Sequence, residues 1–348
     1  MDESNGLAGA KVMFNQGICY PRHGAPEEVL SYEKLPLIKL DDREVRIEIQ
    51  ASTIHPSDLG LIQGSYGLLR PLPAIGGREG VGKIVEVGSA VTEEVMNKIV
   101  AVPDLVGAWQ AYCNCHVDNL ILLPALIPYA QLAVSILNPM TAWRLLNDFE
   151  YLKEGDIVIQ NAGNSAVGVS VVQFAKRMGL RCVSLVRSEK RMQELIDFGA
   201  EEVWLDDEEV PKRTEDYTNG KGCSLVLKSV GGRSATRLAK CLKSGGVHVT
   251  FGAMNGEPVR FPTRNLIFDD VRFVGFWLDR WRRQKTKAQI RNALEEILQP
   301  LALTEVSYPI DSFFSLDEFP QAFQRNAQSR FGKVLFAKDK QALMDSMN

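Results

Sequence analysis

The stretch Ile157-Val-Ile-Gln-Asn-Ala-Gly163-Asn-Ser165-Ala-Val-Gly168 decides the fold. A short apolar run ends in a Gly/Ser turn, and a helix-like stretch follows over 167–178. A strand that feeds such a turn into a helix suits a dinucleotide. The backbone can approach the pyrophosphate, and the helix start offers unpaired N–H groups and a positive dipole end. The usual spacing is G-x-G-x-x-G; here it is G-x-S-x-x-G. Gly163 allows the tight turn and Gly168 lets the helix pack close to its strand. Ser165 stands where the glycine of closest approach would be. An ordinary strand–helix turn shares this outline. The context favours the dinucleotide, with a strand before, a helix after and a second strand over 182–186.

Downstream, residues 203–205, 225–227 and 247–251 read as further strands, with helical stretches between them. One helix, over 190–198, is closed by Gly199. Strands alternating with helices imply βαβ units and a parallel sheet. At the end of the second strand an acidic residue would bind ribose hydroxyls. The chain has Arg187 there instead, about twenty residues past Gly168. A guanidinium suits a 2′-phosphate through charge-assisted hydrogen bonds, so NADPH is expected over NADH. Ser188, Lys190 and Arg191 can add to that pocket, or the two cations can lie on a solvated helix face.

Upstream, residues 43–54 and 81–88 alternate apolar and polar, as half-buried strands do. Glycines and prolines are dense over 56–82 and predict loops. This third reads as a mostly antiparallel β domain. Residues 286–298 and 316–327 look helical, and 333–337 looks like a final strand. The apolar stretch 120–137 approaches the length of a membrane span, but Pro124 and Pro128 break helix continuity. It is expected to be a buried connector and then a core helix.

Composition bounds the rest. The 348 residues are 45% hydrophobic and 24% charged, enough apolar content to exclude disorder and to fill one large or two ordinary domains. A net charge of -3 argues against nucleic acid as the main partner, because phosphate neutralisation needs a basic surplus. Six scattered cysteines suggest reduced thiols in an intracellular protein. The acidic start Met1-Asp2-Glu3-Ser4-Asn5 does not look like a targeting signal.

With Gly76-Gly-Arg-Glu79-Gly and Gly245-Gly-Val-His-Val-Thr-Phe-Gly252, the phosphate turn resembles the medium-chain dehydrogenase/reductase superfamily. The resemblance implies an α/β protein of two parts. A GroES-like, β-rich catalytic domain (1–133 and 284–348) is split around a Rossmann-type doubly wound parallel-sheet domain (134–283). A narrower set resembles the mitochondrial-type trans-2-enoyl-CoA/ACP reductases of the zinc-free branch. It comprises Gln63-Gly-Ser-Tyr66-Gly-Leu-Leu, Leu137-Asn138-Pro-Met-Thr-Ala-Trp-Arg, Ile159-Gln-Asn-Ala and Gly275-Phe276-Trp277-Leu278. That likeness implies NADPH-dependent reduction of an enoyl thioester in fatty acid biosynthesis, with hydride to C3 and a proton to C2. It also implies a homodimer joined through edges of the cofactor domains.

Residue roles follow from the same resemblance. Tyr66 is the expected catalytic residue, as donor to the thioester carbonyl or as proton source. Gly163, Asn164, Ser165, Ala166, Val167 and Gly168 would face the pyrophosphate, and Arg187, Ser188 and Arg191 the 2′-phosphate. Asn138 would lie near the nicotinamide, or serve as a helix cap before Pro139. Phe251, Gly252, Ala253 and Met254 match cofactor-contacting stretches, as do Phe276, Trp277, Leu278 and Asp279. Trp277 also suits the acyl pocket. Lys333 matches a cofactor lysine, or is a solvated strand end. Lys228 departs from the pattern, standing where relatives tend to have Asn.

Zinc is not expected. The first ligand position falls on His55 and the second on Arg78, a cation that cannot ligate. Arg280, Arg282, Arg283, Lys285 and Lys287 form a basic run, either a solvated face or a dock for an acyl carrier protein or CoA phosphates. Two other functions share the fold: an NADPH:quinone oxidoreductase, and an NADPH-binding regulator with a weak site.

Overall fold

The computed structural model describes residues 14–347, so the acidic start at Met1-Asp2-Glu3-Ser4-Asn5 lies outside the described residues. The chain forms two compact units. The first holds the described residues through Ala133, then Ser312–Gln328 and the residues from Val334 on; the second holds Val134–Asp311 and Ser329–Lys333.

The second unit is built on six parallel strands. Their order is Glu202–Leu205, Arg181–Val186, Ile157–Gln160, Cys223–Lys228, Leu242–Thr250 and Arg272–Gly275. The order therefore reverses at Ile157–Gln160, which makes that strand's end the switch point where doubly wound sheets bind ligands. Helices Ala166–Arg177, Glu189–Asp197, Val210–Tyr217 and Arg233–Ala239 supply the crossovers. Strands covered on both faces need apolar residues at successive positions. Leu225, Val226 and Leu227 are accordingly all fully buried. The chain leaves this unit for the first at Ser312 rather than at residue 284. Helix Lys287–Ala302 stays with helix Leu137–Asn147, where Trp143 Nε1 donates to Glu296 Oε2 at 2.6 Å.

In the first unit, Glu44–Thr53 is the central strand. It pairs antiparallel with Gly80–Val87, with Tyr112–His116 and with the closing strand Lys333–Ala337, through Leu335, Phe336 and Ala337. Val45, Ile47, Ile49 and Ala51 point inward, the alternation expected of a half-buried strand. A second core gathers Ile18, Tyr20, Ile54, Ile62, Val334 and Phe336 around Trp109. The indole lies flat on the chain at Gly76 and Gly77, where an added Cβ would meet its ring atoms at 2.1 and 2.5 Å. That glycine pair is therefore a packing requirement.

Three features differ from the expectation. The span 56–82 contains the helix Pro56–Gln63, started by a reciprocal cap between His55 and Asp58. Strands Phe14–Tyr20, Ser31–Pro36 and Ala74–Ile75 form a separate small sheet. Within 120–137, Leu123, Ile127, Ala130 and Leu132 are buried, but Leu122 and Leu126 are exposed. No helix among the described residues is long and apolar enough to cross a membrane. All six cysteines are unpaired.

Candidate active site

The phosphate turn lies at the switch point of the second unit's sheet. Ser165 is the N-cap of helix Ala166–Arg177, and its Oγ accepts from the Gly168 N–H at 3.1 Å. Its φ of -75° is ordinary for serine, so no glycine is needed there. Gly163 is needed: a Cβ would lie 2.6 Å from Ser184 Cβ on the second strand. At Gly168 a Cβ would come within 2.4 Å of the Gly163 carbonyl oxygen. The N–H groups of Asn164, Ala166 and Val167 have no acceptor among the described residues. The turn thus offers three backbone donors at the start of a twelve-residue helix, which is what a pyrophosphate requires.

Two polar residues that the sequence reading gave no role frame this turn. Gln160 is fully buried and donates to the Gly168 carbonyl at 2.9 Å and to Ser184 Oγ at 3.0 Å. Asn161 Oδ1 accepts from the N–H groups of Ser229 and Val230 at 2.7 and 3.1 Å, and its Nδ2 donates to Ser234 Oγ at 2.9 Å. The available signal was two amides closing an apolar strand.

On the other side of the switch point, Lys228 is 2% exposed and donates to the Gly252 carbonyl at 2.8 Å. Burial holds its ammonium below the ordinary lysine range. Gly252 is required by proximity, since a Cβ would lie 2.7 Å from Ser229 Oγ. Phe251 and Met254 continue the same seam through N–H bonds to Lys228 and Ser229 carbonyls, and Ala253 beside them is exposed.

Arg187 and Ser188 are exposed at the end of the second strand, and Arg187 has no side-chain partner among the described residues. Arg191 is instead buried, paired with Glu194 and donating to Ser329 Oγ at 2.6 Å. Asn138 lies inside helix Leu137–Asn147, whose N-cap is Ile136. Its Nδ2 is buried without a partner among the described residues, a donor that a bound ligand would satisfy. Trp277 caps helix Leu278–Arg283 and carries the Arg283 guanidinium 5.0 Å over its ring. Phe276 packs on Phe149, and Asp279 is buried. Lys333 is buried rather than a solvated strand end.

Tyr66 belongs to the first unit. Helix Pro56–Gln63 ends at Gly64 with φ 77°, and the N–H groups of Ser65 and Tyr66 both bond to the Gly60 carbonyl. This wrap leaves the ring half-buried beside the exposed Leu68 and Leu69. Arg78 Nη1 donates to Tyr66 Oη at 2.7 Å. Behind it, His55 Nε2 lies 2.6 Å from Glu79 Oε2, both fully enclosed. Burial raises the Asp58 carboxyl above its ordinary range, although His55, Arg78 and Arg70 oppose this. Zinc does not fit here: Arg78 is tied to Tyr66 and Asp104, and a guanidinium cannot ligate. Among the described residues no group of three His, Cys, Asp or Glu side chains is placed to hold a metal ion.

Fold and site together define a two-unit oxidoreductase of the dehydrogenase type. Residues 41–125 match the alcohol dehydrogenase GroES-like domain and residues 166–299 the zinc-binding dehydrogenase family. The mitochondrial enoyl-[acyl-carrier-protein] reductase of Xenopus tropicalis is 35% identical, over 89% of this chain and 91% of that protein. The chain belongs to the medium-chain dehydrogenase/reductase superfamily, within the family of mitochondrial enoyl-[acyl-carrier-protein] reductases.

Among solved structures, the Etr1p/NADP/crotonyl-CoA complex has a TM-score of 0.85 at 25% identity, covering 94% of this chain and 100% of that one. A protein of Bacillus thuringiensis assigned as an NADPH:quinone reductase has a TM-score of 0.86 at 27% identity, covering 94% and 99%.

Proposed function

We propose that the protein reduces the C2=C3 double bond of a trans-2-enoyl thioester with NADPH. When bound, NADPH supplies the hydride that adds to C3. Asn164, Ala166 and Val167 hold the pyrophosphate with backbone N–H groups, and Arg187 with Ser188 binds the 2′-phosphate. Arg191 supports that corner from within, through Glu194 and Ser329. Asn138 offers its buried amide to the nicotinamide end, and Lys333 and the 251–254 and 276–279 segments complete the cofactor's surroundings. Tyr66 donates to the thioester carbonyl, where negative charge gathers as hydride arrives, or passes its proton to C2. Trp277 gives an acyl chain apolar surface.

The observation that carries this reading is the half-buried Tyr66 hydroxyl held by a guanidinium. Loss of NADPH absorbance with crotonyl-CoA but not with a simple quinone supports it. Consumption with the quinone alone points to the second reading, quinone reduction, which the Bacillus likeness favours. NADPH binding without turnover of either would leave a regulator.

The same reading includes a homodimer. Strand Arg272–Gly275 ends the sheet, and Phe261, Ile267 and Phe268 beside it in sequence are exposed. A monomer in sedimentation at micromolar concentration would refute it. The thioester carrier is CoA or an acyl carrier protein. The compartment is the cytoplasm in a bacterium, or the mitochondrial matrix in a eukaryote.

A further inference from the structure

Resting on the enoyl-reductase reading, we infer that Arg78 is a positioning residue for Tyr66, setting the direction of the phenol's O–H and strengthening it as a donor. The Nη1–Oη distance is 2.7 Å, and the Arg78 Cζ lies 4.9 Å from the tyrosine ring centre. A guanidinium has five donors and no acceptor. The Tyr66 oxygen must therefore accept in this bond, and its own hydrogen is directed away from Arg78. A charged donor on the oxygen also draws electron density from the O–H bond, as charge-assisted bonds do.

The guanidinium is held on its far side as well. Asp104 takes Nε at 3.2 Å and Nη2 at 2.8 Å, through its two carboxylate oxygens. The same carboxylate meets Arg70, whose guanidinium bonds to the Ile75 and Gly77 carbonyls at 2.6 and 2.8 Å. Arg78 is thereby tied to the backbone of the strand that leads into it, and both arginine side chains are buried. Asp104 thus bridges two guanidiniums, and Arg78 turns its Nη1 donor to the phenol. When Tyr66 gives its proton to C2, the O–H bond breaks, the C2–H bond forms and the electron pair stays on oxygen. The guanidinium holds the resulting phenolate until water returns a proton and hydroxide passes to the bulk buffer. A geometry fixed beforehand makes this stabilisation effective in catalysis.

The test follows NADPH oxidation with crotonyl-CoA. Arg78→Gln should lower kcat about 10–100-fold, with KM and NADPH affinity within about threefold of the parent. Arg78→Lys, which keeps a cationic donor, should recover part of that loss. Arg78→Gln combined with Tyr66→Phe should be no slower than Tyr66→Phe alone, because the arginine acts through the hydroxyl. If Arg78→Gln lacks a cooperative melting transition, Asp104→Asn replaces it. That variant loosens the arginine's anchor and should lower kcat about 3–10-fold, again with no added loss in Tyr66→Phe. An unchanged kcat, or losses that multiply in the double variant, overturns the inference. A parent protein inactive on crotonyl-CoA would overturn the enoyl-reductase reading itself.

Discussion

The Asn161 side chain clasps the backbone of Ser229, accepting its N–H at 2.7 Å and that of Val230 at 3.1 Å through the same oxygen. Two loops 68 residues apart in sequence are thereby joined at the switch point of the sheet. Asn161→Ala would orphan two amides in an enclosed place, at a cost of about 2–4 kcal/mol. Chemical denaturation should show that loss, and NADPH affinity should fall with it. Asn161→Asp keeps the acceptor and should lose less. Equal stability of the alanine variant and the parent would refute the clasp.

Tyr66→Phe removes one oxygen and leaves the ring's packing. Turnover of crotonyl-CoA should fall about 10²–10⁴-fold, with NADPH binding unchanged. Any quinone reduction should survive, since it needs no placed proton donor. A phenylalanine variant with parental kcat would remove the tyrosine from the mechanism.

Arg187→Ala should weaken NADPH about 10–100-fold, equivalent to about 1.5–3 kcal/mol for bonds to a charged group, while leaving NADH affinity nearly unchanged. Fluorescence titration of both nucleotides measures the two constants. Parallel losses for NADPH and NADH would mean that the residue does not meet the 2′-phosphate.

His248 is fully buried beside Phe273, and burial lowers its imidazole to about 4 from an ordinary 6.5. Between these values the unfolded chain binds a proton that the native state refuses. Stability should therefore fall as pH drops from 6.5 to about 4, by about 3 kcal/mol in all, with no contribution from this group above 6.5. Urea titrations across that window should show a shallower slope for His248→Leu. An unchanged slope would show that other groups govern the acid limb.

Arg280 and Arg282 lie on helix Leu278–Arg283, while Arg283 is stacked on Trp277. Reversing the first two to Glu tests carrier docking without disturbing that aromatic contact. KM for an acyl-carrier substrate should rise several-fold and lose its salt dependence. A KM unaffected by charge and by salt would sink the docking surface.

The sheet of the second unit was readable because its strands are short apolar runs closed by glycine or polar residues, as Ile157–Gln160 is. The strand Glu44–Thr53 was readable because its alternation survives folding, with Arg46 buried on the opposite face and held by Glu86 at 2.6 Å. Helix Pro56–Gln63 was hidden by Pro56 and Gly60, which look like loop residues until His55 and Asp58 close the cap. Arg187 could be placed from strand spacing alone. Arg191 could not, since only the fold brings Glu194 and Ser329 to it. In sequence Arg78 showed only that it could not bind zinc; its contact with Tyr66 exists only in three dimensions.

The closing strand supplies Val334 and Phe336 to the core around Trp109, and Leu335–Ala337 to the central strand of the first unit. On a ribosome this has a consequence for the order of assembly. The parallel sheet is complete once residue 275 has emerged, whereas the β-rich unit waits for residues some 280 positions after Thr53. The portion made first is thus the portion finished last. Until then Ile18, Ile54 and Trp109 lack their apolar cover, a period in which chaperones have something to hold.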